Sequence, residues 1–279
     1  MDFTNIYPFE HGYLPPEQLE QPWLLVLNGK KIVIKTVGDR CRFPFLSEVF
    51  EDTAEIESCT YIGRYAGHDC FCTQIADAES LPKDFAEVDL KEITRLTEDP
   101  GLFILAGSAN HILHWNRTNR FCGCCGHETV DKRDERAKLC PCCGALFYPR
   151  ISPATITAVL RGDKILLAHN RSFQSEMHSL IAGFVEPGET LEHCAAREIR
   201  EEVGLEVKNI QYFGSQPWPF PDSLMVAFIA DYAGGDITVD GVEIENAAWF
   251  DADSLPPIPT TDSIAGKMIR WYRDQYTKK

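Results

Sequence analysis

The stretch GFVEPGETLEHCAAREIREEVGL, residues 183–205, decides how this chain is read. Thr190 is a good helix N-cap, and Gly204 followed by apolar Leu205 is a good stop, so a helix is predicted over about 190–203. Ala195, Ile199 and Val203 recur at i, i+4 and i+8, which places them on one stripe that should be buried. Glu198, Glu201 and Glu202 share an adjoining face. A face rich in glutamate is usually just solvated, but the partners here argue against that. Glu201 has Arg197 four residues before it, whereas Glu198 and Glu202 have no cation at helical contact spacing. Each like-charged i,i+4 pair costs roughly 0.2–0.5 kcal/mol. A hard divalent cation would turn this repulsion into coordination, because Mg²⁺ takes carboxylate oxygens and leaves positions for water and substrate phosphate.

Outward from this helix the chain alternates strand and turn signals. ATITAVL and KILLAH flank Gly162-Asp163 as a hairpin, and SLIAGFV leads into the helix. Strands are expected near 207–213, 223–232 and 242–250, and a last helix at about 262–275. Residues 119–149 differ in character, being short, cysteine-rich and punctuated by glycine. Before them, WLLVLNGKKIVI (23–34) reads as a hairpin on a type I′ Asn28-Gly29 turn, and YIGRYAGHDCFCTQI (61–75) as a second. DFAEVDLKEITRL (84–96) and LFILAGSANHILHWN (102–116) carry apolar residues at helical spacing. The expected organisation is a smaller N-terminal α+β domain over 1–118, a metal ribbon over 119–149 and an α/β domain over 150–279.

The 279 residues suffice for about two domains, and the net charge of −15 argues against a general binder of nucleic acid, DNA included, or of anionic membranes, while leaving room for a local basic patch. The N-terminus, MDFTNIYPFE, shows no basic and apolar secretory pattern, and apolar runs such as LFILA (102–106) are too short to span a bilayer. Six of the eleven cysteines lie within Cys122–Cys143. Paired C-x-x-C in such a chain reads as metal binding in a reducing compartment, hence a cytoplasmic protein. Cys122-x-x-Cys125 and Cys140-x-x-Cys143 form the pairs, with Cys124 and Cys142 as extra thiols inside them. Glycine after each second cysteine (Gly126, Gly144) permits the left-handed backbone that turns amides toward a thiolate, so Cys122, Cys125, Cys140 and Cys143 are the expected ligands of one structural zinc. Cys41, Cys59, Cys70, Cys72 and Cys194 read as ordinary small buried or half-buried residues.

With these residues in view, 183–205 resembles the Nudix box, G-x5-E-x7-R-E-U-x-E-E-x-G-U with U aliphatic. It matches at Gly183, Glu189, Arg197, Glu198, Ile199, Glu201, Glu202, Gly204 and Leu205. At ordinary residue frequencies a chance match in one chain is on the order of one in ten million. The resemblance implies a hydrolase of nucleoside diphosphates linked to another moiety, with a mixed sheet between helices. It also implies Mg²⁺ or Mn²⁺ held by Glu198 and Glu202, with the Ala182 carbonyl and a carboxylate from a later loop, here Glu243 with Glu245 as rival. Glu201 would act as general base or hold a metal-bound water, and Glu189 would orient Arg197.

Zinc ribbon, Nudix box and then SQPWPFPDS (215–223) occur in an order that resembles the NADH pyrophosphatases, also described as NAD-capped RNA hydrolases. Prolines stiffen the array, and stacking a flat ring on an aromatic is worth about 1–3 kcal/mol. The resemblance implies substrate contacts from Gln216, Pro217, Trp218, Pro219, Phe220, Pro221, Asp222 and Ser223, and from Glu135, Tyr148 and Ala265. Phe184 is a second candidate to face the nicotinamide. For Trp218 a hydrophobic plug is an equal reading. Lys91 and Arg95 are both possible basic contacts. The implied reaction splits NAD(H) into nicotinamide mononucleotide and AMP, and NAD-capped RNA to monophosphate RNA, in a protein expected to be a homodimer. Arg117, Arg120, Lys132, Arg133, Arg136 and Lys138 offer a mildly basic stripe for RNA, although mixed with acids. The rival readings are another Nudix substrate, such as ADP-ribose or a diadenosine polyphosphate, and a zinc-ribbon nucleic-acid binder on an inactive Nudix scaffold.

Overall fold

The computed structural model describes residues 8–38, 40–50, 53–74, 84–97, 99–173 and 175–277. They divide into two units. One runs up to Arg150 and takes in Pro219–Asp222; the other holds Ile151–Trp218 and the chain from Ser223 onward.

In the first unit, β1 (Phe9–His11), β2 (Trp23–Asn28), β3 (Lys31–Val37), β4 (Arg40–Arg42), β5 (Thr60–Tyr65), β6 (His68–Gln74) and β7 (Phe85–Asp89) form one sheet. Its order is β1-β5-β6-β2-β3-β4, with β7 also on β3. Only β2 and β6 run parallel, and Leu24–Leu27 of β2 are buried without a break, as expected of a strand covered on both faces. The helices are α1 (Leu46–Val49), α2 (Ile93–Thr97) and α3 (Pro100–Thr118). Helix α3 starts where Asp99 accepts a hydrogen bond from the Gly101 N–H and Pro100 takes the first turn, and it buries Leu102, Leu105, Ala109 and Ile112 at the expected spacing. The strands β8 (Val130–Asp131), β9 (Lys138–Leu139) and β10 (Leu146–Phe147) make a small antiparallel sheet around the cysteine pairs.

Two expectations fail here. Residues 85–89 are not helical: β7 pairs with β3 from Lys35↔Phe85 to Lys31↔Asp89, and helix begins only after Asp89 caps the next turn through the Lys91 N–H. Sheet pairing overrides the local spacing. In the 23–34 hairpin Asn28 pairs with Lys31, so the turn is Gly29-Lys30, with only Gly29 left-handed (φ 61). That is the glycine-first turn rather than type I′. The second hairpin turns on Ala66-Gly67, between the pair Tyr65↔His68; residue 75 of that expected hairpin lies outside the described residues.

The second unit carries β11 (Ser152–Arg161), β12 (Lys164–Asn170), β13 (Ile181–Phe184), α4 (Leu191–Val203), β14 (Glu206–Trp218), β15 (Ser223–Gly234), β16 (Ile244–Asp251) and α5 (Ile264–Tyr276). Its mixed sheet runs β14-β15-β11-β12-β16, with β13 beside β12 on the same side of β11. Period-two alternation divides the buried residues between two helical layers. Ile156, Ala158 and Leu160 of β11 join Ile165 and Leu167 in the cluster that holds Ile264, Ala265, Met268, Ile269 and Tyr272 of α5. Val159, Leu166, Ala168 and Ile181 instead meet Ile199 and Val203 of α4. The result is the expected α/β/α sandwich.

The strand expected near 207–213 continues to Trp218, so Ser215–Trp218 of the proline-aromatic array is strand, paired with Ser223–Val226. Pro217 is tolerated there because β14 is an edge strand, where a missing N–H leaves no ladder bond unmade. Only Pro219–Asp222 form the tip of this hairpin.

Near the start of α5, a Cβ on Gly266 would lie 2.0 Å from the Thr260 carbonyl oxygen and 2.5 Å from its carbon. Backbone atoms give way at greater cost than side-chain ends. We expect Gly266→Ala to destabilise the protein by about 1–3 kcal/mol in urea unfolding; an unchanged midpoint would show that the 260–263 segment yields freely.

Candidate active site and metal centres

Thr190 caps α4 by accepting the His193 N–H at 3.2 Å, and Gly204 ends it with φ 72. Ala195, Ile199 and Val203 are all buried, which fixes which face of the helix the carboxylates occupy. Arg197 organises that face. Its guanidinium donates to Glu189 Oε1 and Oε2 at 2.8 and 2.9 Å, to Glu198 Oε1 at 2.8 Å, to Glu201 Oε2 at 2.9 Å and to the Phe184 carbonyl at 3.0 Å. The inference that Glu198 lacks a cation is therefore wrong. Arg197 is its sequence neighbour, and the long side chain folds back to reach it, a contact that helical spacing alone does not register. Glu189 is held well below the usual carboxylate range, at about 2, chiefly by its hydrogen bonds from Arg197.

Glu202 differs from its neighbours. It is 7% exposed and has no ion-pair or hydrogen-bond partner for its carboxylate among the described residues. Burial, followed by the charges of Glu198, Glu243, Asp240 and Glu201, pushes its pKa up to about 8. Burial also raises Glu198, against the opposing pull of Arg197. Gly183 makes room for Glu198: a Cβ at that position would lie 1.9 Å from Glu198 Cδ. Ala182 and Gly183 sit on β13, opposite Ile156 and Thr155 of β11.

The later carboxylate comes from the turn before β16. Asp240 accepts hydrogen bonds from the N–H groups of Val242, Glu243 and Ile244, while its own N–H donates to the Glu202 carbonyl at 3.1 Å. This turn brings the Glu243 charge against both Glu198 and Glu202. Glu245 instead lies 3.7 Å from His169 Nε2. Asp240 was missed in the sequence; an Asp two residues before a Val-Glu-Ile strand start is the turn signal that could have found it. Glu198, Glu202 and Glu243 thus share one electrostatic neighbourhood of hard oxygen donors, the ligand type that Mg²⁺ or Mn²⁺ prefers, but among the described residues their carboxylate oxygens do not all lie within 4.8 Å of one another.

Other expected contacts are spread over both units. In the second unit, Phe184 is 59% exposed, Ala265 is buried in the α5 cluster, and Trp218 pairs with Ser223 at the hairpin end. Gln216 is buried; its Nε2 donates to the Asp262 carbonyl at 2.7 Å, while its Oε1 has no hydrogen-bond partner among the described residues. In the first unit, the Pro219 carbonyl accepts from Asn110 Nδ2 at 2.7 Å, and Lys91 Nζ stands 5.2 Å from the centre of the Phe220 ring. Arg95 pairs with Glu92 instead. Phe220 and Pro221 border a cavity of about 380 Å³ with Lys30, Asn110 and Arg117. Asp222 and Tyr148 border another of about 420 Å³ with His111, His114 and Arg150. Tyr148 donates to Glu135 at 3.2 Å.

The four expected zinc ligands converge. Cys125 Sγ lies 3.5 Å from both Cys140 Sγ and Cys143 Sγ, and Cys122 Sγ lies 3.6 Å from Cys143 Sγ. Four thiolates at Zn–S bonds of about 2.3 Å stand about 3.8 Å apart in a tetrahedron, so this set fits a closed structural zinc site. Gly126 and Gly144 are left-handed (φ 77 and 75), and their N–H groups bond the carbonyls of Cys122 and Cys140.

The basic stripe is largely neutralised. Lys132 pairs with Asp134 and Glu135, Lys138 with Asp131, and Arg120 with Glu128. Arg136 is half-buried, and its guanidinium donates to the carbonyls of Gly12 and Tyr61 within the unit.

Comparison with known proteins bears on the whole chain. The family model of the NUDIX domain matches residues 151–272, that of the NADH pyrophosphatase zinc ribbon domain residues 117–148, and that of the NADH pyrophosphatase-like rudimentary NUDIX domain residues 21–115. The chain is 50% identical over 174 residues to the NAD-capped RNA hydrolase NudC of Stutzerimonas stutzeri, covering 62% of this chain and 63% of that protein. It is 46% identical to the protein of the same name from Pectobacterium atrosepticum, covering 66% of this chain and 71% of that protein. It is 44% identical over 211 residues to that of Pseudomonas aeruginosa, covering 76% of this chain and 75% of that protein. The first of these matches spans just under two thirds of the relative's length. Among the described residues no helix is long and apolar enough to cross a membrane.

Glu202 makes the metal-free protein sensitive to pH in a direction that can be worked out. Its ordinary pKa of 4.5 rises to about 8 on folding, so between these values the native state binds more protons than the unfolded state. Unfolding free energy then falls as pH rises from 4.5 toward 8 and levels off above. Glu189, shifted down to about 2, loses its contribution only as pH falls below 4.5 and does not act in this window. We expect Glu202→Gln to flatten the slope, and Mg²⁺ to restore stability at the alkaline end in the parent protein. A slope unaltered in Glu202→Gln would assign the pH dependence elsewhere.

Proposed function

The chain belongs to the NADH pyrophosphatase family of Nudix hydrolases, and from that premise we propose that it hydrolyses the central diphosphate of NAD(H) to nicotinamide mononucleotide and AMP. On NAD-capped RNA the same reaction leaves a 5′-monophosphate. The observation that carries this reading is the buried, unpaired Glu202 beside Glu198 and Glu243, in a helix whose Arg197 is engaged by Glu189, Glu198 and Glu201 and whose Arg200 is engaged by Glu206. A scaffold kept only for binding has no use for a buried, unpaired carboxyl group with so perturbed a pKa.

Glu198, Glu202, Glu243 and the Ala182 carbonyl are the proposed ligands of Mg²⁺ or Mn²⁺. When bound, the metal neutralises diphosphate oxygens and acidifies water. Glu201, 59% exposed on the same face, takes the proton of the attacking water. Oxygen bonds to phosphorus, the bond from that phosphorus to the bridging oxygen breaks, and two monophosphates leave. Arg197, held by Glu189, stays protonated, positions Glu198 and Glu201 and transfers no proton itself. Gln216, Pro217, Trp218, Pro219, Phe220, Pro221, Asp222, Ser223, Phe184, Glu135, Tyr148 and Ala265 are the proposed substrate contacts. The buried orphan Oε1 of Gln216 supports a role for that residue, since an acceptor left unpaired inside a protein is costly unless a ligand N–H or O–H satisfies it. Cys122, Cys125, Cys140 and Cys143 hold the structural zinc. The division into 1–118, 119–149 and 150–279, a homodimeric state and a cytoplasmic location complete the proposal; the three matched family segments support the division.

The decisive experiment incubates the protein with Mg²⁺ or Mn²⁺ and NADH, ADP-ribose or NAD-capped RNA in parallel, with products identified by chromatography. Mononucleotide plus AMP, or monophosphate RNA, is expected. Glu201→Gln should lower kcat by about 10²–10⁴-fold, and Glu202→Gln should also abolish most turnover while the fold persists. Cleavage of ADP-ribose alone would reassign the substrate, and normal turnover in Glu202→Gln would overturn the site. For the RNA track, Arg133 is the residue to reverse, because Arg136 is committed to backbone carbonyls of its own unit. Arg133→Glu is expected to slow cap removal from long RNA without slowing NADH cleavage; equal rates on RNA would dismiss the track.

A further inference from the structure

The zinc ribbon holds six thiols, and four of them account for one tetrahedral ion. The two knuckles share four of six positions: Cys122-Gly123-Cys124-Cys125-Gly126-His127 and Cys140-Pro141-Cys142-Cys143-Gly144-Ala145. Each has an additional cysteine at its third position. The backbone repeats too, with the first cysteine's N–H donating to the carbonyl of the sixth residue, His127 at 2.8 Å in one and Ala145 at 2.9 Å in the other. The chemistry is not repeated. His127 offers an imidazole where Ala145 offers no ligand atom.

This difference has a geometric result. The ligand atoms of Cys125, His127 and Cys142 all lie within 4.8 Å of one another, and all three residues are exposed. Among the described residues, Cys124 belongs to no such group. We propose that Cys125, His127 and Cys142 form a second site for a thiophilic d¹⁰ cation such as Zn²⁺, with the Cys125 thiolate bridging it to the structural zinc. The site shares no residue with the proposed diphosphate-cleaving machinery and does not depend on the reading of that machinery.

Charge favours the arrangement. Four thiolates on one dication leave two formal negative charges, so a second cation on a shared thiolate is drawn to an already anionic cluster. A thiolate retains lone pairs for bridging, imidazole and thiolate both suit Zn²⁺, and binding displaces the Cys142 thiol proton to solvent. Three protein ligands leave a fourth position for water, so this ion should exchange far more readily than the closed one. Exposure of all three residues gives it an open path in and out.

The test loads the reduced full-length protein with excess Zn²⁺, removes free metal by desalting and measures zinc per chain. A chelator titration then separates a fast and a slow fraction. Two equivalents are expected in the parent protein, one fast and one slow. Cys142→Ser and His127→Ala should each retain only the slow one, with unchanged thermal unfolding, and Cys124→Ser should keep both. Cobalt loading gives an independent readout: the thiolate-to-cobalt charge-transfer band should grow through a second equivalent in the parent and stop at the first in Cys142→Ser. A single equivalent in the parent, or two in Cys142→Ser, would overturn the proposal.

Discussion

One guanidinium organises the candidate active site. Arg197 binds both oxygens of Glu189, one oxygen each of Glu198 and Glu201, and the carbonyl of Phe184. Glu189 precedes α4, Phe184 ends β13 and the other two belong to the helix. One side chain therefore ties three consecutive segments together, and the bidentate fork of arginine is what permits it; a lysine ammonium in its place would lack the planar geometry. Because Arg197 is shared among these partners, Glu202 is left with like charges for neighbours.

Holding those like charges together is a question of relative magnitudes. A like-charged helical pair costs roughly 0.2–0.5 kcal/mol in a solvated helix. Full burial of an Ile or Val side chain contributes about 1.5–3 kcal/mol. Ile199 and Val203 are both fully buried against Val159, Leu166 and Ile181, which offsets pairwise repulsion of that size; the larger cost of burying Glu202 falls on its charged form and is relieved by the proton that its raised pKa retains. The alternation along β11 makes this seat possible, giving Val159 to α4 while Ile156, Ala158 and Leu160 go to α5.

Much of this was legible from residues alone, because it is local. Caps and the 3.6-residue stripe placed α4 correctly, and glycine after each second cysteine selected the four sulfurs that converge. What was not legible depends on partners distant in sequence or on the reach of a long side chain. The apolar spacing of residues 84–96 fits a helix until β3 offers a ladder to Phe85–Asp89. Spacing rules did not register that Arg197 folds back on its neighbour Glu198, and composition could not show that Arg136 is spent on the carbonyls of Gly12 and Tyr61. The strand expected near 207–213 stops short of the proline-aromatic array because proline usually ends one; β14 runs on to Trp218 because an edge strand needs no N–H from Pro217.

The carboxylates are drawn from separate supports, and this has a physical reason. Glu198 and Glu202 stand on the helix, backbone oxygens come from β13, and Glu243 comes from a turn before β16. A single flexible segment carrying all these charges would relax by moving them apart. Here each support is fixed by bonds that do not involve the charges themselves: the β13–β11 ladder, the α4 core face and the Asp240 turn, which is anchored to the Glu202 carbonyl. Gly183 completes the arrangement, since any side chain there would occupy the space of the Glu198 carboxylate. Near neutral pH the raised pKa of Glu202 lets a proton relieve part of this repulsion, and in the proposed reaction a divalent cation would displace that proton and carry the diphosphate as its further ligand.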